Sequence, residues 1–395
     1  MSVRKIQDFN NDWSFIKEAL PLSEAELARG ESVSLPHTWN AIDGQDGGND
    51  YHRGLCWYVK RFARPEGEKV FIEFQGVNST AQVFLNGQFI GQHEGGYSTF
   101  RFELTGLLQD ENVLCVSADN SPSERVYPQF ADFTFYGGIY RDVKLISVPE
   151  SHFDLEHFGS AGIFVTPRLE GKDASVQVET LLTGVKPGQQ LRLQITDKSG
   201  QVVAEKTQTA GKTSFEVSLP DVHLWNGKDD PYLYTAHAAL LCDGAILDEV
   251  SATFGVREYR IDPELGFFLN GRSYPLRGVS RHQDRLGKGN ALSREDHEED
   301  VKLIAEMGAT YVRLAHYQHD QYFYDLCDQY GLVVWAEIPF ISKYLPDGNE
   351  NAISQMTELI KQNYNHASII CWGLSNEITM NGEDERLLAF HRELN

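Results

Sequence analysis

From about residue 258 onward, short apolar runs alternate with stretches of helical periodicity, and this alternation restricts the fold more than any other feature. After a turn at Asn270-Gly271, Tyr274-Pro-Leu-Arg-Gly-Val reads as a first strand. Ser293 then caps a helix with an acidic first turn, and Gly308 ends it. Thr310-Tyr-Val-Arg-Leu is a second strand, Tyr322 to Tyr330 a short helix stopped by Gly331, and Leu332-Val-Val-Trp-Ala a third strand. Ala352 to Asn363 is a further helix, and Ser368-Ile-Ile-Cys-Trp-Gly-Leu a fourth strand. Continuous apolar strands separated by helices imply a parallel sheet covered by helices, either a (β/α)8 barrel or a doubly wound sheet.

Upstream the texture is all β. Val70-Phe-Ile-Glu-Phe, Thr80-Ala-Gln-Val-Phe-Leu and Asn112-Val-Leu-Cys-Val-Ser-Ala have strand composition, and Asn86-Gly87 favours a tight hairpin because both residues tolerate positive φ. Residues 1–150 therefore read as a jelly-roll sandwich. In residues 151–257, Ala174-Ser-Val-Gln-Val-Glu-Thr-Leu-Leu and Gln190-Leu-Arg-Leu-Gln-Ile-Thr alternate as half-buried strands do, with turns at Lys186-Pro-Gly and Lys198-Ser-Gly-Gln. About seven strands in roughly 100 residues point to an immunoglobulin-like β-sandwich. Residues 258–395 form the third, α/β, domain.

The chain carries 35 basic and 57 acidic residues, a formal charge of −22, which disfavours nucleic acid and anionic membranes as partners. Nothing approaches eighteen consecutive apolar residues, and the Met1-Ser-Val-Arg-Lys-Ile start lacks the apolar run of a secretory leader. Cys56, Cys115, Cys242, Cys327 and Cys371 are odd in number and scattered, so free thiols and a cytoplasmic location are expected.

Polar residues gather after each strand of the third domain: Arg281-His282-Gln283-Asp284, then Ala315-His316-Tyr317, then Glu337, then Asn376-Glu377. In a (β/α)8 barrel the strand C-terminal ends are where chemistry happens. No Gly-x-Gly-x-x-Gly follows a strand, and neither a phosphate loop nor a Gly-x-Ser-x-Gly elbow is present, which disfavours dinucleotide enzymes and α/β-hydrolases. A Glu377 carboxyl walled by Trp372 would be pushed up toward neutrality, as a glycosidase general acid requires, and Asn376 could hydrogen-bond a sugar hydroxyl. An Asn-Glu pair that merely caps a turn fits the dipeptide alone equally well.

Longer motifs narrow the choice. Asn365-His-Ala-Ser-Ile-Ile-Cys-Trp-Gly-Leu-Ser-Asn-Glu377 is similar to the acid/base signature of glycoside hydrolase family 2, the family of β-galactosidases and β-glucuronidases. Val312-Arg-Leu-Ala-His-Tyr resembles a second signature, with Thr310, Leu314 and Gln318 in place of its usual Asn, Ser/Thr and Pro, and Arg277-Gly-Val-Ser-Arg-His resembles the strand-one motif. Pro36-His-Thr-Trp-Asn, Tyr51-His-Arg-Gly and Asp132-Phe-Thr-Phe-Tyr-Gly-Gly-Ile-Tyr-Arg-Asp-Val resemble the sugar-binding module. The resemblance implies a retaining exo-β-glycosidase, most like a β-galactosidase, with a carbohydrate as substrate and the first half of a TIM barrel as third domain. It implies Glu377 as acid/base, Asn376 as contact to the sugar 2-hydroxyl, His282 and His316 as glycone ligands, and Asp132 reaching the barrel mouth. It also makes Trp335 and Trp372 packing residues and pairs Glu337 with Arg313. Where some relatives hold magnesium after strand three, Ile341 and Lys343 cannot ligate it, so no metal and no cofactor is expected.

Retention requires a second carboxyl group about 5–5.5 Å from the first. The resemblance places this nucleophile, a Glu, on the seventh barrel strand, whereas residues 258–395 provide four strands against roughly 250 residues for a whole barrel. Glu337 is a poor substitute, since it would approach the sugar from the same side as Glu377. The chain alone is therefore expected to be inactive and, with sheet edges exposed, to associate into a homo-oligomer. A β-glucuronidase of the same family and a non-catalytic carbohydrate-binding protein are the alternatives.

Overall fold

The computed structural model describes residues 4–48, 50–380, 382 and 384–395; the Met1–Val3 start of the leader reading lies outside them. In the first part of the chain, a four-stranded antiparallel sheet faces a six-stranded one, and Trp13, Tyr58, Ile72, Phe74 and Val116 fill the space between them. This is the jelly-roll sandwich. Its Asn86-Gly87 hairpin has φ of 53° and 77°, the left-handed pair that a two-residue turn requires.

A second sandwich follows. Ile163–Glu170, Asp173–Thr180 and Ser214–Leu219 form one sheet, and Val202–Thr209, Gln190–Thr196, Tyr234–Cys242 and Ala245–Phe254 form the other. Alternation decides the packing: Leu191, Leu193 and Ile195 point inward and are fully buried, while their neighbours stay at least partly open to water.

The third part is the start of a (β/α) barrel. Its strands are β1 (Gly278–Arg281), β2 (Tyr311–Leu314), β3 (Val333–Glu337) and β4 (Ile369–Gly373), all parallel and hydrogen-bonded in that order. Helices α1 (Arg294–Glu306), α2 (Gln321–Tyr330), α3 (Asn349–Asn363) and α4 (Glu385–Leu394) follow the strands in turn. Ser293 forms a capping box with Asp296 at the start of α1. The first strand begins at Gly278, four residues later than the apolar pattern predicts. Pro275 can donate no ladder hydrogen bond, and Arg277 N–H goes to the Thr310 hydroxyl instead of a strand partner.

Strand register sorts side chains into two rows. Ser280, Arg313, Trp335 and Cys371 stand side by side on the face toward the barrel interior. Arg281, Leu314, Ala336 and Trp372 form the row toward the helices. Arg281 is accordingly spent on structure: it pairs with Asp300 at 2.7 Å and lies 3.9 Å over the Phe323 ring.

Gly331 ends α2 with φ of 69°, and a Cβ there would lie 2.1 Å from the Gly227 carbonyl oxygen of the second sandwich. Both the left-handed backbone and the close approach demand glycine. Gly331→Ala is expected to cost about 2 kcal/mol, read as a lowered midpoint in urea unfolding.

All five cysteines are free. Among the described residues no helix is long and apolar enough to cross a membrane.

Candidate active site

The site residues sit where the interior row meets the loops above it. Arg313 on β2 is the organiser. Its Nε donates to Glu337 Oε1, and its Nη2 donates to Asn376 Oδ1 at 2.8 Å. The second oxygen of Glu337 accepts from His316 Nδ1 at 3.0 Å. A carboxylate can only accept, so in this contact His316 Nδ1 carries the proton and donates. Burial alone would raise the Glu337 pKa; hydrogen bonds from His316 and Arg313, with their charges, outweigh it and hold the carboxyl below its usual range.

Because Asn376 gives its amide oxygen to Arg313, its NH2 points away from the guanidinium, available to a ligand. The backbone fixes it further: Asn376 N–H donates to Phe340 O at 3.0 Å, and Ser342 N–H donates to Asn376 O at 3.0 Å. The loop after β3 thus clamps the end of β4. Glu377 comes next with φ of 50°, an uncommon left-handed conformation for a non-glycine residue and a recurring mark of functional sites.

His282 ends the loop side of β1, with Nδ1 3.3 Å from the Tyr317 hydroxyl and its ring 5.3 Å from that of His316. Burial, aided by the neighbouring His316, lowers its pKa and favours the neutral imidazole, which can both donate to and accept from sugar hydroxyls. Asp132, from the first sandwich, lines a cleft of about 690 Å³ together with His282, Asp284, Tyr51 and Tyr136. Five sequence-predicted residues therefore converge through one chain of contacts: Asp132 and His282 in the cleft, His316 against His282, and Asn376 and Glu377 beyond Arg313.

One expectation changes. Glu377 is exposed, not walled by apolar groups. Trp372 stands in the helix-facing row opposite Ala336 and packs against the barrel core, so it cannot reach over the carboxyl. Trp335 lies in the interior row beside Arg313 and is 37% exposed among the four described strands. The sequence reading missed Phe133, whose ring contacts those of His282, His316 and Tyr317 at centroid distances of 5.1, 6.2 and 5.5 Å. The aromatic run beside Asp132 was its available signal.

Residues flanking the site tie the domains together. Asn365 bridges the barrel to the second sandwich, accepting from Val165 N–H at 2.8 Å and donating to Ile163 O at 3.0 Å. Gln45 ties the first sandwich to the loop after β1 by donating to Arg285 O at 2.8 Å and accepting from Gly287 N–H at 2.7 Å.

Comparison with known proteins agrees with this architecture. Three family models match in succession: the sugar binding domain of glycosyl hydrolases family 2 over residues 8–149, glycosyl hydrolases family 2 over 160–257, and the family's TIM barrel domain over 263–395. A β-glucuronidase of Bacteroides fragilis is 40% identical, the match covering 98% of this chain and 58% of that protein. A β-galactosidase of Thermoanaerobacter pseudethanolicus is 29% identical, covering 99% and 54%. The crystal structure of an FMN-binding β-glucuronidase from Facaelibacterium prausnitzii L2-6 superposes with a TM-score of 0.95 at 42% identity, covering all of this chain and 61% of that one. The chain spans somewhat more than half the length of these relatives. With a jelly roll, an immunoglobulin-like sandwich and barrel strands each matched by its own model, the chain belongs to glycosyl hydrolase family 2.

Proposed function

We propose that this chain supplies the glycone-binding wall and the general acid/base of a retaining exo-β-glycosidase acting on terminal β-galactosides or β-glucuronides. The observation that carries the reading is the Arg313–Glu337–His316–Asn376 array, which sets Asn376 and Glu377 at the end of β4, joined through His316 and His282 to the Asp132 cleft. Relatives bearing both sugar names match the whole chain, so the proposal is for the reaction they share.

In this reading Glu377 gives its proton to the glycosidic oxygen as the bond to the anomeric carbon breaks. A nucleophilic carboxylate on the opposite face forms the glycosyl-enzyme. Glu377, now ionised, takes a proton from the water that releases the sugar. Asn376 NH2 holds the 2-hydroxyl, a hydrogen bond that strengthens as positive charge grows at the anomeric carbon. Glu337 is unsuited to be the nucleophile, because Arg313 occupies one of its oxygens and His316 the other. The proposal assigns that role to a strand beyond the four described.

With the barrel complete, hydrolysis of 4-nitrophenyl β-galactoside and β-glucuronide, followed by proton NMR, tests the reading. The β-anomer of the sugar is expected as first product. First appearance of the α-anomer, or no hydrolysis of either glycoside, would refute it.

A further inference from the structure

Tyr317, next to His316 in the chain, is buried where the first sandwich meets the barrel. Its ring stacks on Tyr97 of the sandwich at 4.4 Å between centroids and 14° between planes, and Phe133 lies edge-on at 5.5 Å. Packing from both domains thus aims the phenol. Its hydroxyl oxygen accepts from Gln283 N–H at 3.1 Å and lies 3.3 Å from His282 Nδ1. Burial pushes the Tyr317 pKa above the usual phenol value, so the hydroxyl keeps its proton.

The contact between Tyr317 and His282 has two possible directions, and they differ in what they leave unpaired. With the proton on Nδ1, the Tyr317 oxygen would receive two donors, and its own hydrogen would find no acceptor among the described residues. A buried donor without a partner is costly. With the hydroxyl donating to Nδ1, every polar atom of the contact is paired: the oxygen takes the Gln283 hydrogen and gives its own to the ring. The neutral ring, favoured by burial and by His316, then carries its hydrogen on Nε2. Nε2 has no partner among the described residues and stays open, on a side chain that lines the cleft.

That hydrogen meets a need of the cleft. Asp132 and Asp284 offer carboxylates, which only accept. Most side-chain donors around them are spent. Tyr136 gives its hydroxyl hydrogen to Asp284, Thr134 gives its own to Gly44 O, and Gln45 donates to the Tyr136 hydroxyl and to Arg285 O. Tyr51 accepts from Phe135 N–H and keeps its hydroxyl hydrogen. Beside it, His282 Nε2–H is the side-chain donor left to meet a sugar oxygen.

We propose that Tyr317 is a positioning residue, which donates to Nδ1 and so fixes His282 as the Nε2–H tautomer, a donor to a glycone hydroxyl whose own hydrogen goes to a carboxylate of the cleft. The sugar contact rests on the proposed glycone role of His282; the tautomer does not.

Long-range proton–nitrogen NMR of the full chain, with isotopically labelled histidine, reads the tautomer directly, the His282 signals being identified by their loss in His282→Gln. The expected result near neutral pH is a protonated Nε2 and an unprotonated Nδ1, displaced toward the protonated position by the hydrogen bond it accepts. In Tyr317→Phe, which keeps the ring stacked on Tyr97, that displacement is lost and the share of Nδ1–H ring rises. If circular dichroism shows Tyr317→Phe unfolded, the chain grown with meta-fluorotyrosine, a stronger phenol donor, replaces it, and a larger Nδ1 displacement is expected. A protonated Nδ1 in the unmodified chain, or His282 signals indifferent to the change at Tyr317, would overturn the proposal. The readout is a nitrogen resonance and involves no turnover, so the tautomer and the acid/base role of Glu377 fail separately.

Discussion

Under the proposed acid/base role, and with the barrel complete, replacing Glu377 with Gln is expected to lower kcat/KM for alkyl β-glycosides by roughly 10²–10⁴-fold, while 2,4-dinitrophenyl glycosides lose little in their glycosylation step. The asymmetry follows from the proton. An alkoxide is a poor leaving group and needs the Glu377 hydrogen as the bond breaks, whereas a dinitrophenolate departs unprotonated. Gln preserves the shape of the side chain but has no acidic proton to give. Glu377 is exposed in the loop that follows β4, so the change leaves no buried group unpaired and the fold should be untouched. Presteady-state kinetics across leaving groups provide the check. An equal loss for good and poor leaving groups would remove the acid role.

Arg313→Met is expected to have the larger structural effect. Glu337 has only 4% of its side chain exposed, and removing the guanidinium leaves its charge buried with a single partner in His316. Breaking such a pair costs about 3 kcal/mol, toward the low end for buried pairs because Arg313 itself is 31% exposed. The same substitution frees the Asn376 amide to rotate, so 2-hydroxyl recognition should fall with stability. The pH dependence has a definite sign. The folded-state pKa of Glu337 is held below its unfolded value, so this stabilisation is fully present above the unfolded pKa and disappears as pH falls through the folded one. Without Arg313 that pKa moves up and the acid loss begins at a higher pH. Urea unfolding of both proteins between pH 3.5 and 7.5 makes the comparison, and stability differing by a constant at every pH would contradict it.

Much of this was legible in the sequence because it rests on local rules. Asn86-Gly87, the Ser293 cap and Gly331 each satisfy a backbone demand that few residues meet, so their elements fall where the pattern puts them. The carboxylates, imidazoles and Asn376 after successive strands were visible as a polar series, and parallel pairing brings such a series together. What was hidden depends on facing. Adjacent strand residues point opposite ways, so of Arg281 and His282 one had to turn outward, and only the helices packed behind β1 show that it is Arg281. The same parity carries Trp372 away from Glu377. Phe133 was hidden for another reason: its partners are more than a hundred residues distant, and no local pattern reports which loop will cover His282 and His316. Strand β1 began late because Pro275 interrupts the ladder that its apolar neighbours favour.

The central claim is that Glu377 stands on the leaving-group side of the sugar. Chemical rescue addresses it directly. In Glu377→Ala, with the barrel complete and an activated aryl glycoside as substrate, azide can enter the space vacated by the carboxylate and attack the glycosyl-enzyme from that side. The predicted product is the β-glycosyl azide, accompanied by faster turnover as azide is added. The α-glycosyl azide would show that Glu377 is the nucleophile, and turnover unaffected by azide would deny it a place beside the anomeric carbon.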